Sequence, residues 1–352
     1  MAKRLRSEAA LFALFPSAAN ANNMQLCRRV SCFMLLICIF FFLLVSCSRP
    51  EPPVTIRVGL TKSVDILPYL VMREKHFDHA QGLQLKEKEY VGGAAIVDAM
   101  VNGQVDLAVS NGSVVMISAA EKGLVPSVVT TVASESVCDF QHPAMSLFVS
   151  KSITEFRQLE GQYIATNAKN SLGGIMIQGR LKHEGVASYT LVEIPFVNQG
   201  LAVSGGNVAG ATLVEPYLTQ SLRRGDGHLL DWLTGKPPFE RIPYTMICFR
   251  TGFLTLNPEA AEKYLRAYLK AVEWIGKHTR EARSILAKSI SIDEDVAQSM
   301  YLPEWPADGK DDPALLLTLE SEMKDLGLIR AVIPPEKLYD ESFLDKVLSG
   351  TR

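Results

Sequence analysis

The chain has 352 residues, with 36 Lys and Arg against 38 Asp and Glu and 47% apolar residues. This near-neutral balance excludes the basic excess of a nucleic-acid surface, and the ordinary globular composition excludes disorder. Four of the six cysteines (Cys27, Cys32, Cys38 and Cys47) precede the first strand-like stretch, which excludes a disulfide scaffold.

Residues 32–45, CFMLLICIFFFLLV, form an unbroken apolar run. A membrane-spanning helix needs about 20 apolar residues. The run therefore fits the core of a secretory signal peptide, with Arg28 and Arg29 as its positive flank. It ends in Leu44-Val45-Ser46-Cys47, which resembles a lipobox, where small residues precede a Cys that is lipidated and becomes the new N-terminus. An uncleaved signal anchor is the alternative. The expected leader is residues 1–47, with Met24 as an alternative start, and residues 48–53 are a Pro-rich tether.

Residues 54–60 (VTIRVGL) are β-branched and alternating, as in a strand. A loop to residue 67 leads into a short helix over 68–77, opened by Pro68. A second strand over 82–90 is broken by Gly92-Gly93 before a helix over 94–102, with Gly103 where a C-cap belongs. Then come a strand at 105–110, a helix at 113–122 and a strand at 127–133. The pattern restarts with strands at 145–150, 163–166, 190–194 and 209–214, and helices at 154–159, 171–184 and 199–205. Strands alternating with helices imply right-handed crossovers and a mostly parallel sheet. The tail is helical. Asn257-Pro258 reads as an N-cap followed by Pro in the first turn, and Leu265, Leu269, Val272 and Ile275 form the apolar stripe. Further helices are expected from Thr279, Asp293 and Asp312. Cys138 and Cys248 could pair in an oxidising compartment, but buried free thiols on strands are the expectation.

In order and spacing, five stretches resemble one known family: VGLTKSVDILPYLVMREKHF (58–77), GGAAIVDAMVNGQVDLAVSNG (92–112), ITEFRQLEGQYIAT (153–166), GGNVAGATLVEPYLTQSL (205–222) and GFLTLNPEAAEKYLRAYLKA (252–271). They are similar to the substrate-binding proteins of ABC importers for nitrate, sulfonates, taurine and thiamine-pyrimidine precursors. The resemblance implies an α/β, two-lobed periplasmic-binding-protein-like fold of type II. The ligand cleft would lie between lobes joined by two crossing strands. Lobe one would be 54–142 with 247–352, and lobe two 143–246. An ABC permease is the implied partner. The chain departs from the family at His76, where the family more often has Gly. It departs again at Val214-Glu215-Pro216-Tyr217, which lacks the Trp before Glu.

Open α/β sheets bind ligands at the carboxyl ends of their strands, where free N–H groups of helix starts favour polar or anionic groups. The candidate ligand-binding residues are Lys62 and Asp65 after the first strand, Gly92, Gly93 and Ala94 after the second, and Ser110, Asn111 and Gly112 after the third. Lobe two adds Lys169, Asn170 and Ser171 after its first full strand, and Glu215, which resembles the family's cleft-facing acid. Each has a structural alternative: a turn for the glycines, a helix cap for Asp65, Ser110 and Ser171. Tyr69 and Tyr217 are expected to pack. No Arg lies in these loops for a bidentate grip on a sulfonate, so a neutral heterocycle or a zwitterion fits better than a simple anion.

No phosphate-binding loop, H-E-x-x-H or G-x-S-x-G is present, and the six His show no ligand spacing. The expectation is a non-enzymatic, monomeric solute-binding protein with no metal or cofactor, anchored in the cell envelope through Cys47. A ligand sensor is the alternative, and a biosynthetic enzyme on the same fold a more distant one.

Overall fold

The computed structural model describes residues 52–350. The leader, the lipobox with Cys47, and residues 48–51 of the tether lie outside the described residues. Residues 53–350 belong to one compact unit. Among the described residues no helix is long and apolar enough to cross a membrane.

The strands are β1 (Val54–Leu60), β2 (Leu83–Glu89), β3 (Leu107–Gly112), β4 (Val129–Cys138), β5 (Ser146–Val149), β6 (Gln162–Thr166), β7 (Tyr189–Glu193), β8 (Gly210–Leu213), β9 (His228–Trp232) and β10 (Ile242–Arg250). They form two five-stranded sheets, ordered β2-β1-β3-β10-β4 and β7-β6-β8-β5-β9. The two orders are alike. In each, three parallel strands are followed by one that returns antiparallel and then by an edge strand. The chain crosses from the first sheet to the second through residues 139–145 and returns through 233–241. Ile242 and Pro243 already pair with β4, so the first sheet resumes five residues before the expected position 247.

These pairings fix which edges meet. Strand β4 is antiparallel to β10, as β3 is, so β4 runs parallel to β3 and its carboxyl end leads into the crossing. Strand β5 enters beside the carboxyl end of β8, with Ser146 opposite Leu213. Both sheets therefore present their carboxyl edges to the crossing segments. Arg241 in the return segment bonds Asp139 in the outgoing one at 2.8 Å and Glu304 of the tail at 2.8 Å.

Local chemistry explains the elements. Helix Pro258–Lys277 lays Tyr264, Leu265, Tyr268, Ala271, Val272 and Ile275 on the core under the first sheet, against helix Leu67–Glu74. Asn257 does not cap it as expected: its side chain points back and donates to the Phe253 carbonyl at 3.3 Å. His76 has φ 56°, a left-handed backbone that glycine adopts without strain, which accounts for the Gly usual there in the family. All ten residues of β4 are buried although it is an edge strand. The tail covers it, with Ser134 N–H donating to the Gly309 carbonyl and single bridges from Thr131 to Tyr339 and Val137 to Glu304. Covering an edge in this way blocks pairing with other chains. Strand β9 has no counterpart in the sequence reading, and β10 only the expectation that Cys248 lies on a strand, without its bounds.

The C-terminal segment does more than complete lobe one. Helix Leu316–Asp325 packs on helix Ser113–Glu121 of the first lobe and on helix Leu172–His183 of the second. Lys182 bonds Asp325 at 2.8 Å. Gly179 lies so close to Phe239 that an added Cβ would sit 2.8 Å from its ring. Cys138 and Cys248 are both free and buried. Tyr69 is fully buried and donates to Glu87 at 2.9 Å, and Tyr217 stacks on Phe196, so both pack as expected.

Candidate functional site

The carboxyl edge of the first sheet gathers a set of polar groups away from water. Asp65, in the turn after β1, is buried, and it caps no helix. Its carboxylate accepts the Ser110 hydroxyl. Ser110 sits near the end of β3 with φ 59°, a left-handed conformation unusual for Ser. That turn of the backbone aims the Ser110 N–H at Glu135 of β4, whose carboxylate accepts it. One residue thus joins two buried carboxyl groups. Burial pushes Asp65 above the usual carboxylate range, opposed by its bonds from Ser110 and Ser63. Burial, and then the charge of Asp65, push Glu135 well above it. No cation is among the causes acting on either group.

The other first-lobe candidates are arranged differently. Asn111 is fully buried; its Oδ1 has no hydrogen-bond partner among the described residues and lies 2.4 Å from where a Cβ on Gly93 would be. Glycine at 93 is therefore what lets the helix approach β3. Gly92 and Ala94 are more open, and Gly112 forms the junction of β3 and its helix. Lys62 is exposed and turns to Glu89 at 3.2 Å.

The second-lobe candidates separate. Lys169 and Asn170 are exposed. The Lys169 N–H donates to Glu193 at 2.9 Å. Ser171 caps helix Leu172–His183, accepting the Gly174 N–H at 3.2 Å, while its hydroxyl donates to Asn167 and the Ala168 carbonyl, both at 2.7 Å. Glu215 is buried with its oxygens engaged. It accepts from the Thr219 hydroxyl at 2.9 Å, the Thr219 N–H at 3.1 Å and the Tyr301 N–H at 3.0 Å. Burial raises its pKa, opposed by those bonds.

Several residues of this region escaped the sequence reading. Glu135 carried a signal: a charged residue inside a buried strand demands a reason. The stretch Tyr301-Leu-Pro-Glu-Trp305 is the other. Trp305 Nε1 donates to the Asp65 carbonyl at 3.0 Å, and Tyr301 meets Trp232 of the second lobe edge-on, ring centres 4.8 Å apart. This tail segment therefore links Asp65 of one lobe to Glu215 of the other. A crevice of about 540 Å³ beside it is lined by Gln141, His142, Arg283, Tyr301, Glu304 and Trp305, among others.

Asp139, His142 and Glu304 bring ligand atoms within 4.8 Å of one another. The Arg241 guanidinium bonds both acids, so a cation already occupies the place between them.

Residues 49–291 match the model of the NMT1-like family. The chain belongs to that family. It is 23% identical over 330 residues to the protein YtlA of Bacillus subtilis (strain 168), covering 88% of this chain and 94% of that one. Among solved structures it is similar to the ligand-binding component of an ABC-type import system from Staphylococcus aureus, with TM-score 0.68, 14% identity, and coverage of 84% of this chain and 99% of that one. It is equally similar to the periplasmic aliphatic sulphonate-binding protein SsuA of Escherichia coli, at TM-score 0.68, 16% identity, and coverage of 82% and 92%. The desulfurization enzyme DSZB shares the fold, at TM-score 0.62, 14% identity, and coverage of 85% and 100%. These likenesses establish the two-lobed periplasmic-binding-protein fold that the sequence implied.

Proposed function

We propose that this NMT1-like protein is the extracytoplasmic solute-binding component of an ABC importer, held at the membrane by lipid on Cys47. The observation that carries the reading is the pair of like-ordered sheets whose carboxyl edges both adjoin the crossing segments. Such edges are where open α/β sheets take up ligands. A small polar organic molecule enters between the lobes, contacts both, and shifts the population towards the closed form. The closed protein, a monomer, delivers it to the permease. Of the candidates, Asp65, buried at that edge, and Ser110, partly exposed beside it, are best placed to meet it from lobe one. Gly92, Gly93 and Ala94 contribute backbone, as do Lys169, Asn170 and Ser171 from lobe two. Lobe one comprises the first sheet with most of the tail, and lobe two the second sheet.

The fold is shared with an enzyme, so catalysis is the second reading. The described cysteines argue against thiol chemistry here: burial pushes Cys248 up to about 12 and Cys138 well above its ordinary value. Native mass spectrometry of the protein purified in detergent from its own host tests the proposal. A retained small molecule and an acylated N-terminal Cys47 are expected. An unacylated chain that turns the retained molecule over would establish the enzyme reading.

A further inference from the structure

We infer that the carboxyl edge of the first sheet receives a positively charged, N–H-donating group of the ligand, held by Asp65 and Glu135. This rests on the binding-protein reading and adds the ligand's chemical class. The geometry is that of a receptor for donors. Asp65 follows β1, Ser110 lies in the second half of β3 and Glu135 in the second half of β4, so three strands bring these groups to one edge. Ser110 spends its hydroxyl on Asp65 and its N–H on Glu135 Oε2. Glu135 Oε1 is left buried with no hydrogen-bond partner among the described residues. So is the hydroxyl of Tyr264, a fully buried side chain close enough to Glu135 for that charge to act on it. The groups acting on the pair are Ser63 and Ser110 on Asp65, and Asp65, Ser110 and Thr245 on Glu135, while the phenols of Tyr244, Tyr264 and Tyr268 feel these acids in turn.

An unpaired buried carboxyl costs free energy unless it is protonated or meets a cation. A sulfonate or nitrate brought to this edge offers no donor and would leave Glu135 Oε1 unsatisfied. An amine, amidine or guanidine would instead give Glu135 Oε1 its missing donor and compensate the charge. The proton balance is simple. Where a carboxyl of the pair holds a proton in the free protein, it gives that proton to buffer as the ligand's cation takes its place.

Calorimetric titration of the mature protein, solubilised in detergent, tests this at neutral pH. The probes are benzamidine, agmatine and 4-aminopyridine on one side, and methanesulfonate, ethanesulfonate and nitrate on the other. At least one cation is expected to bind. Asp65→Asn and Glu135→Gln should each weaken it about tenfold or more. Binding of the cation to both variants with wild-type affinity would overturn the inference. Binding of the anions alone would also overturn it and leave the binding-protein reading standing. No binding in either series, with nothing retained from the host, would remove both. The wild-type arm decides between the series even if a variant fails to fold.

Discussion

Glu215 of the second lobe accepts the backbone N–H of Tyr301, in the tail of the first, at 3.0 Å. The acid that the sequence marks as a ligand contact therefore also joins the lobes in this structure. Its second partner, Thr219, is one helical turn ahead, so the carboxylate closes the start of helix Tyr217–Arg224 as well. Glu215→Gln replaces one acceptor oxygen by an N–H₂ that faces donors. Losing a hydrogen bond to a charged group and leaving its buried partner unmatched costs about 1–3 kcal/mol. A urea melt of the ligand-free protein should show that loss. A variant that melts like the wild type but binds its ligand more weakly would return Glu215 to a purely ligand-contacting role.

The acid pair at Ser110 makes a prediction about pH. Both Asp65 and Glu135 are raised by burial. In the unfolded chain they titrate near the ordinary values of ~3.9 and ~4.3. Below that range both states hold their protons and the folded protein keeps its full stability. As pH rises, the unfolded chain loses protons first, so stability falls until the raised folded values are passed. Glu135→Gln and Asp65→Asn remove this slope. Melts between about pH 4 and 8 should show each variant level with wild type at the acid end and more stable at the alkaline end. A wild-type curve that rises with pH over this window, left unchanged by both substitutions, would contradict the assignment. Together with the ligand titration this gives a trade-off in which a substitution gains stability and loses binding.

Gly174 tests the second-lobe loop. A Cβ there would lie 2.3 Å from the Lys169 carbonyl oxygen and 2.4 Å from that of Ala168. Both are backbone atoms of the loop that precedes helix Leu172–His183, so no side chain can swing away. Gly174→Ala should cost about 1–3 kcal/mol, as overpacking does, and should displace residues 168–171. The thermal midpoint checks the first. Protection of those amides in hydrogen exchange checks the second, and unaltered exchange would mean that the loop is not set by this contact.

Much of the architecture was legible because it rests on local chemistry. Alternation marked β1 and β2, Gly103 and Gly185 closed helices in the left-handed conformation, and the restart after residue 143 separated the second sheet. What stayed hidden depends on contacts far apart in the chain. The extent and place of β10 are set by its partners β3 and β4, and Trp305 meets Asp65 across 240 positions. The site was legible by place rather than by role. The strand-end rule found Asp65 and Ser110, yet only the left-handed turn at Ser110 connects them to Glu135. Lys62 and Lys169 satisfied the same rule, but their long side chains reach solvent and leave the buried edge to the acids.

Helix Leu316–Asp325 sets the freedom of the two lobes. It leans on a helix from each, with Leu316, Leu319 and Met323 fully buried. Relative rotation of the lobes cannot proceed freely about the two crossing segments, because any swing that draws Lys182 from Asp325 also exposes this apolar seam to water. The pivot is therefore a three-stranded joint, two peptide crossings and one helix laid across them. Such a joint favours a shallow arc over a wide gape, since opening uncovers Leu316, Leu319 and Met323.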